Sequence, residues 1–267
     1  MVLIAGCSTS GSSPAATGSA ASGDASASAA SPAALTVFAA ASLKKAFGEI
    51  KAAYEAARPG TTLTFSFDAS STLETQIEQG GPADVFASAD TKNPQKLVDG
   101  GFASGPVTPF AGNVLTVVVP SANQARITSP LDLARPGIKV IAAGDGVPIT
   151  GYASQLLDNL AKQAGYPADF ADKVAANIVS KEDNVAAVLS KIELGEGDAA
   201  IAYETDARDT ASVASIAIPA AASVPVTYGA VTTKVSPHPD AAADFVTWLT
   251  GPEGQAILAR HGFLPPS

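Results

Sequence analysis

From Leu35 onward the chain alternates short apolar runs of strand character with segments of helical periodicity, and this alternation restricts the fold more than any other feature. Leu35 to Phe38 reads as a strand, and Leu43 to Ala57 as an amphipathic helix ended by Arg58-Pro59-Gly60. Thr61 to Phe67 alternates as a strand, and Thr72 to Gln79 is helical before Gly80-Gly81. A short strand at Asp84 to Ser88 precedes a short helix at Pro94 to Val98. Asn113 to Val119 and Lys139 to Ala143 are nearly continuous apolar runs, as expected of strands covered on both faces. Tyr152 to Ala164 puts Leu156, Leu157, Leu160, Ala161 and Ala164 on one helix face. Val185 to Leu194 reads as a helix and Ala199 to Tyr203 as a strand, with helices at Phe245 to Leu249 and Gly254 to Arg260. Repeated βα units predict an α/β protein with mostly parallel sheets.

Composition narrows the function. The 267 residues are 46% hydrophobic and 15% charged, enough apolar content for a packed globule of one large domain or two lobes. No run of 18 apolar residues is present, so no transmembrane helix is expected. The net charge of −9 and the lack of a basic run argue against nucleic acid, whose phosphates require clustered Lys and Arg. One cysteine and two histidines, His238 and His261, offer no disulfide and no ordinary metal cage.

Ligands of open α/β sheets bind outside the carboxyl ends of strands, where helix N-termini present unpaired N–H groups that favour anions. Four strand-to-helix joints share one chemistry: Ala39-Ala40-Ala41-Ser42, Asp68-Ala69-Ser70-Ser71-Thr72, Gly144 through Tyr152, and Lys181-Glu182-Asp183-Asn184-Val185. A serine at any one joint ordinarily serves as an N-cap. Four such joints together point to a small anion held by neutral donors. Asp68 shares a strand side with Ser66 and Ser70; facing the cleft it would repel a dianion or accept a proton from a protonated one. Its expected place is in solvent or capping a nearby turn.

Other chemistries fit less well. Ser42-Leu43-Lys44-Lys45 matches the S-x-x-K pattern of exported serine enzymes, but the companion S-D-N and K-T-G elements are missing. Gly144-Asp145-Gly146 lacks the G-K-[ST] ending of a phosphate loop. The carboxylates Glu182 and Asp183, and Glu204 and Asp206, read as a solvated helix start and loop. No enzymatic activity, cofactor or cation site is expected.

Val37 through Leu43, Ser70-Ser71-Thr72-Leu73, Pro82 through Asp90, Glu182 through Val185 and Ala200 through Tyr203 resemble the molybdate-binding proteins of bacterial ABC importers. Trp248 through Gln255 and Gly262-Phe263 are similar to the family's C-terminus. The resemblance implies a two-lobed periplasmic-binding-protein fold of type II, each lobe a mixed, mostly parallel sheet flanked by helices, with the ligand in the interlobe cleft. It implies two chain crossings, placed near Gly112 and Val226, giving one lobe of 35–111 plus 227–267 and a second of 112–226. Ser42 and Ser70 would then each donate a hydroxyl and a backbone N–H, Ile149 and Val185 backbone N–H groups, and Tyr203 its phenol. The implied ligand is molybdate, with tungstate as co-ligand, and the implied partners are an ABC permease and its ATPase complex, with the binding protein itself monomeric. Sulfate, phosphate or another small anion on the same fold is the alternative. Neutral donors favour fully deprotonated molybdate, tungstate or sulfate over phosphate, which keeps a proton near neutral pH. Size alone then separates molybdate from sulfate.

Small residues before Cys7, in Leu3-Ile4-Ala5-Gly6, resemble a bacterial lipobox, which implies a lipid on the Cys7 thiol. Residues 8–34 are Ser, Ala, Gly, Thr or Pro except Asp24, too apolar-poor to pack and therefore read as a flexible tether. The expected location is extracytoplasmic, anchored to the cell membrane through Cys7 without spanning it.

Overall fold

A computed structural model describes residues 33–208 and 210–266; Cys7 and the segment through residue 32, expected above to act as a tether, lie outside the described residues. In chain order the strands are β1 (Ala34–Ala40), β2 (Thr62–Asp68), β3 (Val85–Ser88), β4 (Thr108–Asn113), β5 (Leu115–Pro120), β6 (Val140–Ala143), β7 (Ile178–Glu182), β8 (Ala199–Tyr203), β9 (Val213–Ile216) and β10 (Val226–Thr232). The helices are α1 (Lys44–Ala57), α2 (Ser70–Glu78), α3 (Lys92–Asp99), α4 (Pro148–Ala161), α5 (Phe170–Ala176), α6 (Val185–Glu193), α7 (Glu204–Arg208), α8 (Pro239–Thr250) and α9 (Pro252–Arg260).

Two five-stranded sheets form, ordered β2-β1-β3-β10-β4 and β7-β6-β8-β5-β9. The chain passes from the first sheet to the second between Asn113 and Leu115, and returns between Ile216 and Val226. Both sheets are built alike. In each, three strands joined through helices run parallel, and the next two neighbours pair antiparallel. Antiparallel pairings equal parallel ones, more than βα alternation alone predicts, because β10 and β5 run against the neighbours on both of their sides.

Side-chain alternation covers both faces of the first sheet. Val37 and Ala39 of β1 join the core that includes Phe47, Ile50 and Tyr54 of α1, whereas Phe38 packs with Leu73, Ile77 and Leu97 of α2 and α3. In the second sheet the apolar stripe of α4, Leu156 and Leu160, is buried with Phe170 and Val174 of α5 and Val188 and Ile192 of α6. Gly254 allows α8 and α9 to close up: a Cβ there would lie 2.5 Å from the Leu249 carbonyl oxygen.

The helix starts differ from the sequence expectation in one consequential way. α4 begins at Pro148 rather than Tyr152, because proline's fixed φ and missing N–H suit a first helical position. α2 likewise begins at Ser70 rather than Thr72. Both shifts move a joint residue into a first helical turn.

The end of α1 is tied to α8. Arg58 donates from Nε to Asp244 Oδ2 at 2.7 Å and from Nη2 to Oδ1 at 3.0 Å, and the Tyr54 hydroxyl donates to Oδ2 at 2.9 Å. The Tyr54 ring meets Phe245 and Trp248 edge-on at 5.0 and 5.3 Å. The hydrogen-bonded Arg58 guanidinium, against a smaller opposing effect of burial, holds the Asp244 carboxyl below its ordinary range, with Tyr54 adding to the lowering. A carboxyl lowered in the folded state contributes stability above the ordinary carboxyl pKa of about 4, and that contribution disappears as pH falls through the folded value. Asp244→Asn is therefore expected to cost about 1 kcal/mol at pH 7, discounted for partial exposure. Urea unfolding should show this difference shrinking below about pH 4; a difference constant with pH would contradict the ion-pair assignment.

Candidate functional site

Six strand ends converge on one small cavity between the two sheets. From the first sheet come Ala40 at the end of β1, Asp68 at the end of β2 with Ala69 and Ser70, and Ala89 after β3. From the second come Val147, Pro148 and Ile149 after β6, Asn184 and Val185 after β7, and Tyr203 at the end of β8. Ala41 and Ser42 complete the wall from a short 3-10 turn that leads into α1. The cavity thus brings together Ser42, Ser70, Ile149, Val185 and Tyr203, residues that are 161 positions apart at the extremes (203 − 42).

The lining is made of donors. Neither serine caps its helix, contrary to the ordinary role of serine at such joints. Ser70 Oγ instead accepts the Ala89 N–H at 3.0 Å, leaving its own proton as a donor. Ser42 Oγ lies 3.0 Å from the Tyr228 hydroxyl. Ser70 and Val185 occupy the first positions of α2 and α6, where backbone N–H groups have no acceptor within the helix. In α4, Pro148 has no N–H, and the Thr150 N–H donates to the Val147 carbonyl at 3.0 Å. Ile149 therefore carries the one first-turn N–H of the Pro148–Thr150 segment with no local acceptor.

Tyr203 is the most informative side chain. It is 1% exposed, and its hydroxyl has no hydrogen-bond partner. A hydroxyl left so buried costs about 1–3 kcal/mol unless something accepts from it. Burial raises its pKa well above the ordinary tyrosine value, with smaller contributions from Tyr228 and other neighbours, so it stays a neutral donor. Burial likewise pushes Tyr152 of α4 up to about 12.

Among the described residues no Lys or Arg lines the cavity, and Asp68 is its one acidic side chain. The expectation that Asp68 is solvated or caps a turn holds only in part. Its Oδ1 accepts the adjacent Ala69 N–H at 2.7 Å, but also the Asn184 side-chain amide at 3.0 Å. Asn184 in turn caps α6 by accepting the Ala187 N–H at 3.1 Å. Asp68 belongs to the first sheet and Asn184 to the second half, so this bond bridges the cleft. Lys45, the partner of Ser42 in the S-x-x-K pattern, is exposed on α1 while Ser42 is buried. Groups of three or more His, Cys, Asp or Glu able to hold a metal ion are absent among the described residues.

Sequence reasoning missed the residues behind the serine. Tyr228 of β10 reaches Ser42 across 186 positions of chain and Asn113 of β4 reaches Tyr228 across 115, and no local pattern marks such contacts. Asn184 was visible, since an Asn just before a helical run is an N-cap signal; its second bond, to Asp68, was not.

A model for the bacterial extracellular solute-binding proteins matches residues 35–264. The molybdate-binding protein ModA of Mycobacterium tuberculosis is 36% identical over 233 residues, covering 87% of this chain and 85% of that protein. YvgL of Bacillus subtilis, provisionally named an ABC transporter substrate-binding lipoprotein, is 31% identical over 265 residues, covering 98% and 93%. Among solved structures, the periplasmic molybdate-binding protein of Azotobacter vinelandii superposes with a TM-score of 0.73 at 25% identity, covering 87% of this chain and all of that one. With a cavity of neutral donors at six strand ends and this match over nearly all of its folded part, the chain belongs to the bacterial extracellular solute-binding proteins, a family of transport proteins rather than enzymes.

Proposed function

We propose that this protein captures molybdate, and tungstate with it, outside the cytoplasm and delivers it to an ABC permease and its ATPase. The observation that carries this reading is the buried Tyr203 hydroxyl, which has no protein acceptor and lines a cavity whose other polar groups are also largely donors. The relatives named as molybdate-binding proteins support the choice of oxyanion.

In this reading Ser42 and Ser70 donate hydroxyl and backbone N–H groups from a lobe of residues 35–111 and 227–267. Ile149 and Val185 donate backbone N–H groups, and Tyr203 its phenol, from a lobe of residues 112–226. A tetrahedral dianion accepts at every oxygen, so it satisfies all of these donors at once. Hydrogen bonds to a charged group contribute about 1.5–3 kcal/mol each. Two lobes that share the donors close on the anion, because one lobe alone presents only part of the set. The Asp68–Asn184 bond then acts as a clasp beside the ligand. The protein works as a monomer tethered through a lipid on Cys7, and among the described residues no helix is long and apolar enough to cross a membrane. No cofactor takes part; the anion is cargo.

Calorimetric titration with molybdate, tungstate, sulfate and phosphate tests the reading. One-to-one binding of molybdate and tungstate with much weaker sulfate and phosphate is expected; no binding of the first two would overturn it. Tyr203→Phe is expected to weaken molybdate binding about tenfold or more, the loss of one hydrogen bond to charge. An unchanged affinity would remove Tyr203 from the site.

Asp68→Asn keeps an acceptor for Ala69 and Asn184 while removing a negative charge beside the anion. Molybdate affinity is expected to rise severalfold. Phosphate binding that is present in the wild type and lost in this variant would instead make Asp68 the acceptor of a protonated oxyanion.

A further inference from the structure

The Ser42 hydroxyl is not placed by its own helix. Behind it stand two side chains in line, Tyr228 and Asn113, one beside each crossing between the sheets. Asn113, the last residue of β4, has its amide orientation fixed, because its Oδ1 accepts the Val114 N–H at 2.9 Å. Its Nδ2 therefore faces inward and donates twice, to Thr205 Oγ1 at 2.9 Å and to the Tyr228 hydroxyl at 3.3 Å. Tyr228 is fully buried in β10, its ring packed edge-on against Phe110 and Phe263 at 6.0 and 5.4 Å. The Tyr228 oxygen accepts from Asn113, and Ser42 Oγ, 3.0 Å away, is an acceptor within reach of its proton. A serine oxygen that accepts from behind must direct its own proton elsewhere, and the cavity is what Ser42 otherwise faces.

We propose that Tyr228 is a positioning residue for anion capture: the relay Asn113 to Tyr228 to Ser42 commits the Ser42 proton to the cavity, making that hydroxyl a donor and not an acceptor. The relay also polarises the hydroxyl, since hydrogen bonds in a chain strengthen one another. It crosses from the first sheet to Thr205 at the start of α7, so the donor is set only when both crossings are in register. The inference rests on the oxyanion reading above and gives one of its donors a fixed direction.

A double-mutant cycle read by molybdate titration tests it, with Tyr228→Phe, Ser42→Ala and the pair. Phenylalanine keeps the ring and its packing. Tyr228→Phe is expected to weaken molybdate binding about tenfold in the wild-type background and less than about twofold once Ser42 is alanine, because its effect passes through that hydroxyl. Equal losses in both backgrounds would make Tyr228 a structural residue only and overturn the proposal, as would no loss in either. Asn113→Ala supplies the same cycle should Tyr228→Phe not fold: a severalfold loss confined to the Ser42 background is expected, and a loss independent of Ser42 contradicts the relay. A wild-type protein that binds no molybdate brings down the oxyanion reading first and the relay with it, an outcome the wild-type titration separates from failure of the relay alone.

Discussion

A doubly charged oxyanion, the proposed ligand, leaves water only where the protein supplies as many hydrogen-bond donors as the solvent did, and the proposed function rests on that requirement. A lysine or arginine would supply charge, but would also bind other anions and need its own desolvation. This cavity uses neutral groups instead: the hydroxyls of Ser42, Ser70 and Tyr203, and N–H groups at the starts of α2, α4 and α6. Tyr203 shows the cost of the strategy, since its hydroxyl is buried without a protein acceptor. Each donor is held in place by something else. The Ala89 N–H occupies a lone pair of Ser70, the Tyr228 hydroxyl stands 3.0 Å from Ser42 Oγ, and Pro148 with Thr150 leaves Ile149 the donor of its turn.

The fold supplies the convergence. Each sheet ends three parallel strands on the same side, and each end feeds a turn or helix whose dipole favours negative charge. Bringing two such sets together puts six strand ends around one cavity. Local dipoles must do this work because the net charge of −9 opposes an anion at long range, although salt screens it beyond about 8 Å. The Asp68–Asn184 bond adds a contact between the two halves at the site itself.

Much of this was legible in the sequence because it is local. Ala39-Ala40-Ala41-Ser42 and Asp183-Asn184-Val185 announce strand-to-helix joints by their small, hydroxyl and capping residues, and Val117-Val118-Val119 announces a strand covered on both faces. What was illegible is long-range. β10 pairs antiparallel with β3 and β4, residues more than a hundred positions earlier, and nothing near Tyr228 signals that its hydroxyl reaches Ser42. Serine at a helix start argues for a cap, yet here tertiary partners on β10 and after β3 take over both hydroxyls. Proline at position 148 was read as part of a loop, while its fixed φ starts α4 and defines which N–H of that turn remains.

In the proposed function the anion lies between the two sheets with Tyr203 donating to it. A crystal structure of the protein grown with tungstate, located by the metal's anomalous scattering, measures this directly. One strong peak in the cavity is expected, with an oxygen of the anion within about 3 Å of the Tyr203 hydroxyl and of Ser42 Oγ. A peak elsewhere on the molecule, or an anion in the cavity that leaves the Tyr203 hydroxyl without an acceptor, would contradict it.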